Sequence, residues 1–350
     1  MKRGSALLRL GLSLIIALLI SSLFIFVAGE KPSFAYYHLI RGAFYGRMNM
    51  LTTLRWTVPF IITGIAATIS FRAGLFNMGL EGCIYLGGLT AAVLGMYITN
   101  LPAILHIPLC LAAAMLVGAL WVYLPARLKA YRGVNEVIVS WMLSYIAVLL
   151  CQFLVSAIFQ DPADVSQAAQ QVRTPYIQKS AVLAQLVPPF QLNASLYIAL
   201  VLAGLFFVFS VYTKYGYEHK MLGLAKEFAR YGGVNIEKMQ FWSFLASGAV
   251  GALAGATEVM GVHHRYIHGF STDMGANGIL VALMGRLNPV GVPLAGFFMG
   301  VIQNGSRAMA RMSNVSLDTV RIFTSIIVIC LTAEGLFELL RLRRLHKEGK

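Results

Sequence analysis

Two glutamates stand where a chain this apolar can least tolerate them. Glu81 follows a glycine-interrupted stretch, RAGLFNMGLEG, and Glu258 sits inside AGATEVMGV. A carboxylate removed from water is costly unless paired, so an ionisable group in an apolar run marks a pathway, a gate or a hydrogen bond between helices. Glu334, near the end of the last apolar run, has the simpler option of pairing with the arginines that follow it. Asn77 and Asn277 lie in two glycine-broken segments, one in each half, as expected of a route assembled from discontinuous helices in two repeated halves. His264 and His268 stand four apart, a spacing that on a helix could share a metal ion. With no Cys or acidic neighbour in the segment, a wetted outer loop is the better reading. The chain carries no GxxxxGKS/T phosphate cradle, no GxSxG nucleophile elbow and no HExxH zinc motif.

These residues must be held by membrane helices. The 350 residues are 58% hydrophobic and only 12% charged, whereas about a quarter of a soluble domain is charged. At about 20 residues per crossing, the fold expected is an all-α polytopic membrane protein with about ten transmembrane helices. Some of these are broken or re-entrant, and the whole of 1–350 forms one transmembrane domain. The net charge of +14 is spread over loops and ends rather than gathered on one face. It therefore points to the positive-inside rule and not to nucleic acid. Cys83, Cys110, Cys151 and Cys330 all fall in apolar runs without CxxC spacing and read as small buried hydrophobes.

In chain order, residues 1–28 hold a retained first span, longer than a signal-peptide core, followed by a mixed outer loop over 29–49. Further spans are expected at about Leu51–Phe71, up to about Ile98, up to the basic group Arg127, Lys129 and Arg132, and at about Val137–Phe159. Residues 160–192, rich in Gln and Pro, form an outer loop. Spans at about Ala194–Tyr212 and Phe241–Val262 flank a charged stretch, 214–240. Asp273–Arg286 is too short to cross and reads as a broken or re-entrant helix. Spans at about Pro289–Ala310 and Ile322–Leu340 complete the bundle, and 341–350 is a basic cytoplasmic tail. The distribution of Lys and Arg puts both termini in the cytoplasm. Gly251/Gly255 and Gly296/Gly300 mark faces where helices can pack closely.

The stretch 214–240 is the most densely charged internal segment. Within it Leu222, Ala225, Ala229 and Gly232/Gly233 recur at helical spacing, predicting a short helix with a small-residue face, ended by glycines. Such a face would let the backbone of a soluble partner approach; a solvated connector is the alternative.

Four stretches, from about Leu51 to Arg311, resemble one family. They are FRAGLFNMGLEG (71–82), GVNEVIVSWMLSYIA (133–147), LGLAKEFARYGGV (222–234) and GANGILVALMGRLNPVG (275–291). They are similar, in the same order, to motifs of the membrane-spanning permeases of ABC importers for nucleosides and simple sugars, related to the branched-chain amino acid permeases. The resemblance implies a bacterial inner-membrane subunit with no catalytic residue, metal or cofactor of its own. Its partners would be an ATPase subunit that binds ATP and Mg, a second, different permease chain, and an extracytoplasmic substrate-binding lipoprotein. It also implies that Leu222, Gly223, Ala225, Glu227, Phe228, Ala229, Arg230, Tyr231 and Gly233 form the coupling segment seated on the ATPase. The substrate pathway would take Asn77, Glu81, Asn135, Ser144, Glu258 and Asn277.

The chain departs from the family pattern at Cys83, Ser144 and Asn277, where Gln, Asn and Asp are usual. Each change loses or neutralises a polar group beside an expected pathway motif. A nucleoside leads as substrate, with a simple sugar or a riboflavin-like vitamin as alternatives. Ala225, Lys226 and Phe228 also depart from the family's coupling loop, which suggests a dedicated ATPase. A proton-coupled secondary transporter using Glu81 and Glu258 is the competing mechanism.

Overall fold

The computed structural model describes residues 31–162 and 172–312, together with 19–23, 26, 325 and 326. The expected first span in 1–28, the last span with Glu334, and the tail 341–350 lie almost wholly outside the described residues. The described residues form helices α1 (Pro32–Phe44), α2 (Arg47–Arg72), α3 (Leu80–Tyr97), α4 (Ala103–Trp121), α5 (Tyr123–Arg132) and α6 (Glu136–Leu154). They continue as α7 (Ser195–Tyr212), α8 (Lys214–Leu224), α9 (Lys226–Tyr231), α10 (Ile236–Glu258), α11 (Met274–Met284) and α12 (Gly291–Met312). Wider π-helical turns carry α6 on to Phe159 and α10 on to His263.

Six of these helices are long and apolar enough to cross a membrane: α2, α3, α4, α7, and α6 and α10 with their π turns. The chain is thus an all-α, multi-pass membrane protein. The helix expected at Pro289–Ala310 is present as α12, 22 residues long. Gln303, Asn304, Arg307 and Arg311 keep it from reading as a plain apolar span. The short segment before it forms α11, with 11 residues. At the helical rise it covers about 16 Å, roughly half of a bilayer's hydrocarbon core.

Residues 29–49, expected as a loop, contain α1. Pro32 opens this helix, which buries Ala35, Gly42 and Ala43. A side chain at Gly42 would collide with the Ala308 methyl of α12, so the two helices touch at small residues. The alternation of polar and aromatic residues along PSFAYYHLIRGAF hides a narrow buried stripe.

Burial divides the helices by role. In the apolar windows of α2 and α10, 89% and 78% of residues are buried; in α4, α6 and α7 the figures are 22%, 22% and 17%. The first pair is enclosed by its own chain, and the other three present broad apolar faces outward. Glycine seams make the close contacts. Gly255 of α10 lies against the Ile84 carbonyl of α3 and Gly251 against Leu80, so α3 and α10 run side by side in the same direction. Gly296 and Gly300 of α12 meet Ile61 and Thr57 of α2 in the opposite sense. Both glycine pairs marked in the sequence therefore lie in helix seams.

One end of the bundle carries α8, α9 and a concentration of Lys and Arg. At the other end, residues 172–183 are laced across the bundle. Thr174, Ile177 and Leu183 donate their backbone N–H groups to the carbonyls of Tyr266, His264 and Met260, at 2.9–3.0 Å, and Gln178 donates to Gly95 at 2.8 Å. The histidine segment beneath is not a wetted loop. Tyr266 is fully buried, Phe270 nearly so, and His264 has a left-handed backbone (φ 54) that ends the helix there. His264 and His268 therefore do not share a helical face.

Candidate functional site

Between Arg72 and Leu80 the chain leaves helical geometry, and the backbone N–H groups of that break need partners. Helix α6 supplies them at four-residue intervals. Glu136 accepts from Phe76 N–H at 3.3 Å, Ser140 from Met78 N–H at 3.1 Å, and Ser144 from Gly82 N–H at 2.8 Å. Spacing of four places all three on one helical face. Asn77, fully buried, accepts from Gly79 N–H at 2.9 Å and donates to Ser247 of α10 at 3.0 Å. The motifs 71–82 and 133–147 are thus two sides of one hydrogen-bonded joint.

The joint brings the start of α3 into the middle of the bundle. Leu80 lies opposite Gly251, about 22 Å along α10 at the helical rise. Helix α11 also begins there. Glu81 accepts from the Gly275 backbone N–H at 2.7 Å, so its carboxylate caps the positive end of α11. A side chain at Gly275 would fall 2.6 Å from the Glu81 nitrogen and 2.8 Å from its carboxylate oxygen, and only glycine allows that approach. Just before α11, Thr272 and Asp273 both hold left-handed backbones (φ 44 and 62), a strained arrangement for non-glycine residues.

A cavity of about 220 Å³ opens beside this meeting point, lined by Glu81, Ser144 and Asp273 together with Trp141, Tyr145 and Ile279. Of the six residues expected on the pathway, Glu81 and Ser144 share the cavity. Asn77 braces the joint behind it. Asn277 is half-buried on α11, where Ala276 rather than Asn277 lines the cavity. Asn135 caps the start of α6 by accepting from Val137 N–H at 3.0 Å. Cys83 is fully buried against Gly251, so its departure from the family pattern falls on a helix seam and not on the cavity wall.

Glu258 belongs to a different cluster. It pairs with Arg55 at 2.5 Å, with the two side chains only 3% and 6% exposed, and His263 lies 4.0 Å from the same oxygen. The guanidinium carbons of Arg55 and Arg307 each sit 4.0 Å from the Trp56 ring centre. The sequence reading followed buried acids and passed over this partner. Arg55 within the run 51–71 is itself an intramembrane charge and could have been found by the same rule. Trp141 and Tyr145 gave no such signal, because aromatics on an apolar helix also suit lipid.

At the basic end the segment expected to couple to an ATPase is built differently from its expected form. It is two helices, α8 and α9, broken at Ala225, whose backbone turns extended (φ −151, ψ 89). Leu222 and Ala229 are buried in a cluster with Ala73, Leu75, Val122 and Phe244, and a side chain at Gly223 would strike the Arg72 carbonyl. Leu222 and Ala229 of the expected face therefore pack on this chain's own helices, while Ala225, Gly232 and Gly233 stay exposed. Apolar burial wins over presenting small residues to water. The outward face includes Leu224, Ala225, Lys226, Glu227, Phe228, Arg230 and Tyr231, with Phe228 60% and Tyr231 90% exposed. Arg230 and Glu227 form a loose surface pair at 3.5 Å. Gly233 closes α9 in a left-handed conformation (φ 79) with open space around it.

The seating of α8 is polar as well. His219, 2% exposed, points Nε2 at the Ile69 carbonyl 2.8 Å away. Burial pushes its imidazole down to about 4, so it docks neutral. Arg72 donates to Ser210 of α7 at 2.7 Å. The inner turn of α2 is thus gripped from α7 and α8, directly before the break that leads to Glu81.

Residues 49–332 match the family described as branched-chain amino acid transport system / permease component. The chain is 32% identical over 333 residues to the guanosine ABC transporter permease protein NupP of Bacillus subtilis, covering 94% of this chain and 93% of that one. It is 25% identical to the nucleoside ABC transporter permease protein NupB of Lactococcus lactis, covering 94% and 91%. It is 29% identical to the glucose ABC transporter permease protein TsgB13 of Haloferax volcanii, covering 93% and 87%. With its helical bundle, its jointed mid-bundle helices and a match over most of its length, this chain belongs to the branched-chain amino acid transport system / permease component family, and is a permease of the ABC-transporter type.

Proposed function

We propose that the chain is the permease subunit of an ATP-driven importer in a bacterial inner membrane, and that it takes up a nucleoside or a related ribose-like solute. A separate ATPase subunit drives it by seating on α8–α9, with the basic end in the cytoplasm. A second, unlike permease chain completes the pathway, and an extracytoplasmic binding lipoprotein delivers solute to the opposite end. The observation that carries this reading is continuity. The exposed pair Phe228 and Tyr231 stands on a base whose Leu222, Gly223 and His219 hold the inner turn of α2. That turn runs directly into the break at 73–79 and the Glu81 cavity. A push on α9 can tilt the jointed start of α3 against α11 and so alternate access. Nucleoside leads because NupP and NupB, both similar along nearly the full chain, are named for guanosine and nucleosides.

The proton-coupled reading is weaker on geometry. A relay needs its two carboxylates on one route, yet Glu81 lines the cavity while Glu258 is tied to Arg55 elsewhere. The test is uptake by the whole importer reconstituted in vesicles. Phe228→Ala with Tyr231→Ala is expected to lose ATPase co-purification and at least about tenfold of ATP-driven uptake, since exposed aromatic anchors of this kind contribute 2 kcal/mol or more to docking. Membrane insertion should remain normal. Uptake by this chain without any ATPase, abolished by a protonophore, would overturn the proposal.

A further inference from the structure

The cavity beside Glu81 has a composition more specific than a passage requires. Two carboxylates, Glu81 and Asp273, face it, and no Lys, Arg or His is among its lining residues within the described chain. Glu81 accepts one N–H from Gly275, which leaves acceptor capacity, because a carboxylate offers about four lone-pair sites. Asp273 starts α11 but makes no capping bond with its side chain. Its carboxylate is spared the job that Asp usually does at that position.

Across the cavity stand Trp141 and Tyr145, one helical turn apart, with ring centres 6.0 Å apart and planes at 45°. Both are more than half exposed, at 52% and 59%. Flat π-faces beside unused acceptors suit a planar ring that carries N–H donors. The absence of a cation from the wall leaves nothing to neutralise a phosphate. At about 220 Å³ the cavity is smaller than the ~300–1,000 Å³ of most small-molecule sites, consistent with one wall coming from the second permease.

We propose that Trp141, Tyr145, Glu81 and Asp273 are the specificity-determining residues of the pathway. The aromatic pair stacks on the base of an uncharged nucleoside, and the two carboxylates accept its ring and exocyclic N–H groups. This assignment rests on the importer reading above and adds to it which part of the solute is read, and by what.

The experiment measures ATP-driven uptake by the assembled importer, with its binding protein held constant, using radiolabelled guanosine, glucose and purine riboside, which lacks guanosine's N–H donors. Base–aromatic stacking supports an expected rise of about tenfold in guanosine KM for Trp141→Ala, with the maximal rate within about twofold. Trp141→Phe, which keeps a ring, is expected to shift KM by less than about threefold. Glu81→Gln with Asp273→Asn keeps shape and an acceptor oxygen while removing both charges. It is expected to narrow the preference for guanosine over purine riboside by about tenfold. Wild-type KM values in Trp141→Ala or an unchanged preference in the double variant would each overturn the assignment and leave the importer reading standing, whereas uptake of glucose but not guanosine would overturn the assignment and the nucleoside reading and leave only an ATP-driven importer. Absence of ATP-driven uptake of all three solutes by the wild type would overturn both.

Discussion

Single residues divide into those that bear load and those that line the cavity beside Glu81. Ser140 and Ser144 look interchangeable as small hydroxyls on an apolar helix, yet both hold backbone N–H groups of the break, and Ser144 also borders the cavity. The Arg55–Glu258 pair shows load-bearing in its strongest form. Removing one partner leaves the other charged and buried, at a cost of about 3–5 kcal/mol, while replacing both with apolar residues is close to neutral. Arg55→Leu alone should lower the thermal midpoint of the purified protein sharply, and Arg55→Leu with Glu258→Leu should recover most of the loss. A double variant no more stable than the single one would mean that the pair does not carry the contact between α2 and α10. At this scale the sequence disclosed which acids were costly, because an isolated charge in an apolar run is conspicuous. It did not disclose their partners, which lie up to 203 residues away.

At the scale of the element, the stretch 214–240 shows where periodicity is informative and where it is mute. The spacing of Leu222, Ala225 and Ala229 indicates one helix, whereas the chain breaks at Ala225 into two; and a stripe of small residues is equally suited to a partner's backbone or to the chain's own. Only the packing of Leu222 and Ala229 against α2 and α10 decides between them. Gly233 sharpens the point. With φ 79 and no atom within 4 Å of an added Cβ, substitution there is limited by backbone conformation and not by space. Gly233→Val should misdirect α9 and uncouple ATP hydrolysis from uptake, whereas Gly233→Asn, which tolerates the left-handed region, should retain most coupling. Equal activity in the two variants would remove that conformational role.

His219 makes the same seating sensitive to pH. Its imidazole is held at about 4 in the docked segment, against about 6.5 when free. Between those values the detached segment binds a proton that the docked one does not. Docking is therefore at full strength above the free value and weakens as pH falls from about 6.5 towards 4. Hydrogen exchange of α8 amides, corrected for intrinsic rates, should rise across that window. His219→Gln, which keeps an N–H for Ile69 and does not titrate, should flatten the profile.

For the molecule as a whole, the all-α multi-span architecture was legible from composition and loop lengths, and the glycine pairs marked two helix seams, but the enclosure of α2 and α10 within outward-facing α4, α6 and α7 was not. Those signals report each helix's own surface. The meeting of α3 and α11 was only half legible: the breaks at 73–79 and before Met274 were visible as glycine-rich interruptions, but their convergence on Glu81 depends on three-dimensional register. The cavity's aromatic wall was not legible at all, because Trp141 and Tyr145 carry the same hydropathy signal as residues turned to lipid.

The strand of chain at 172–183 is tied down by main-chain atoms that every residue type possesses. Thr174, Ile177, Ala181 and Leu183 add buried side chains to that hold, while the exposed Gln178 and Lys179 are released from the task of staying in place. Mutation at these two positions can redraw the outward surface without unlatching the cover beneath, at little cost to the fold.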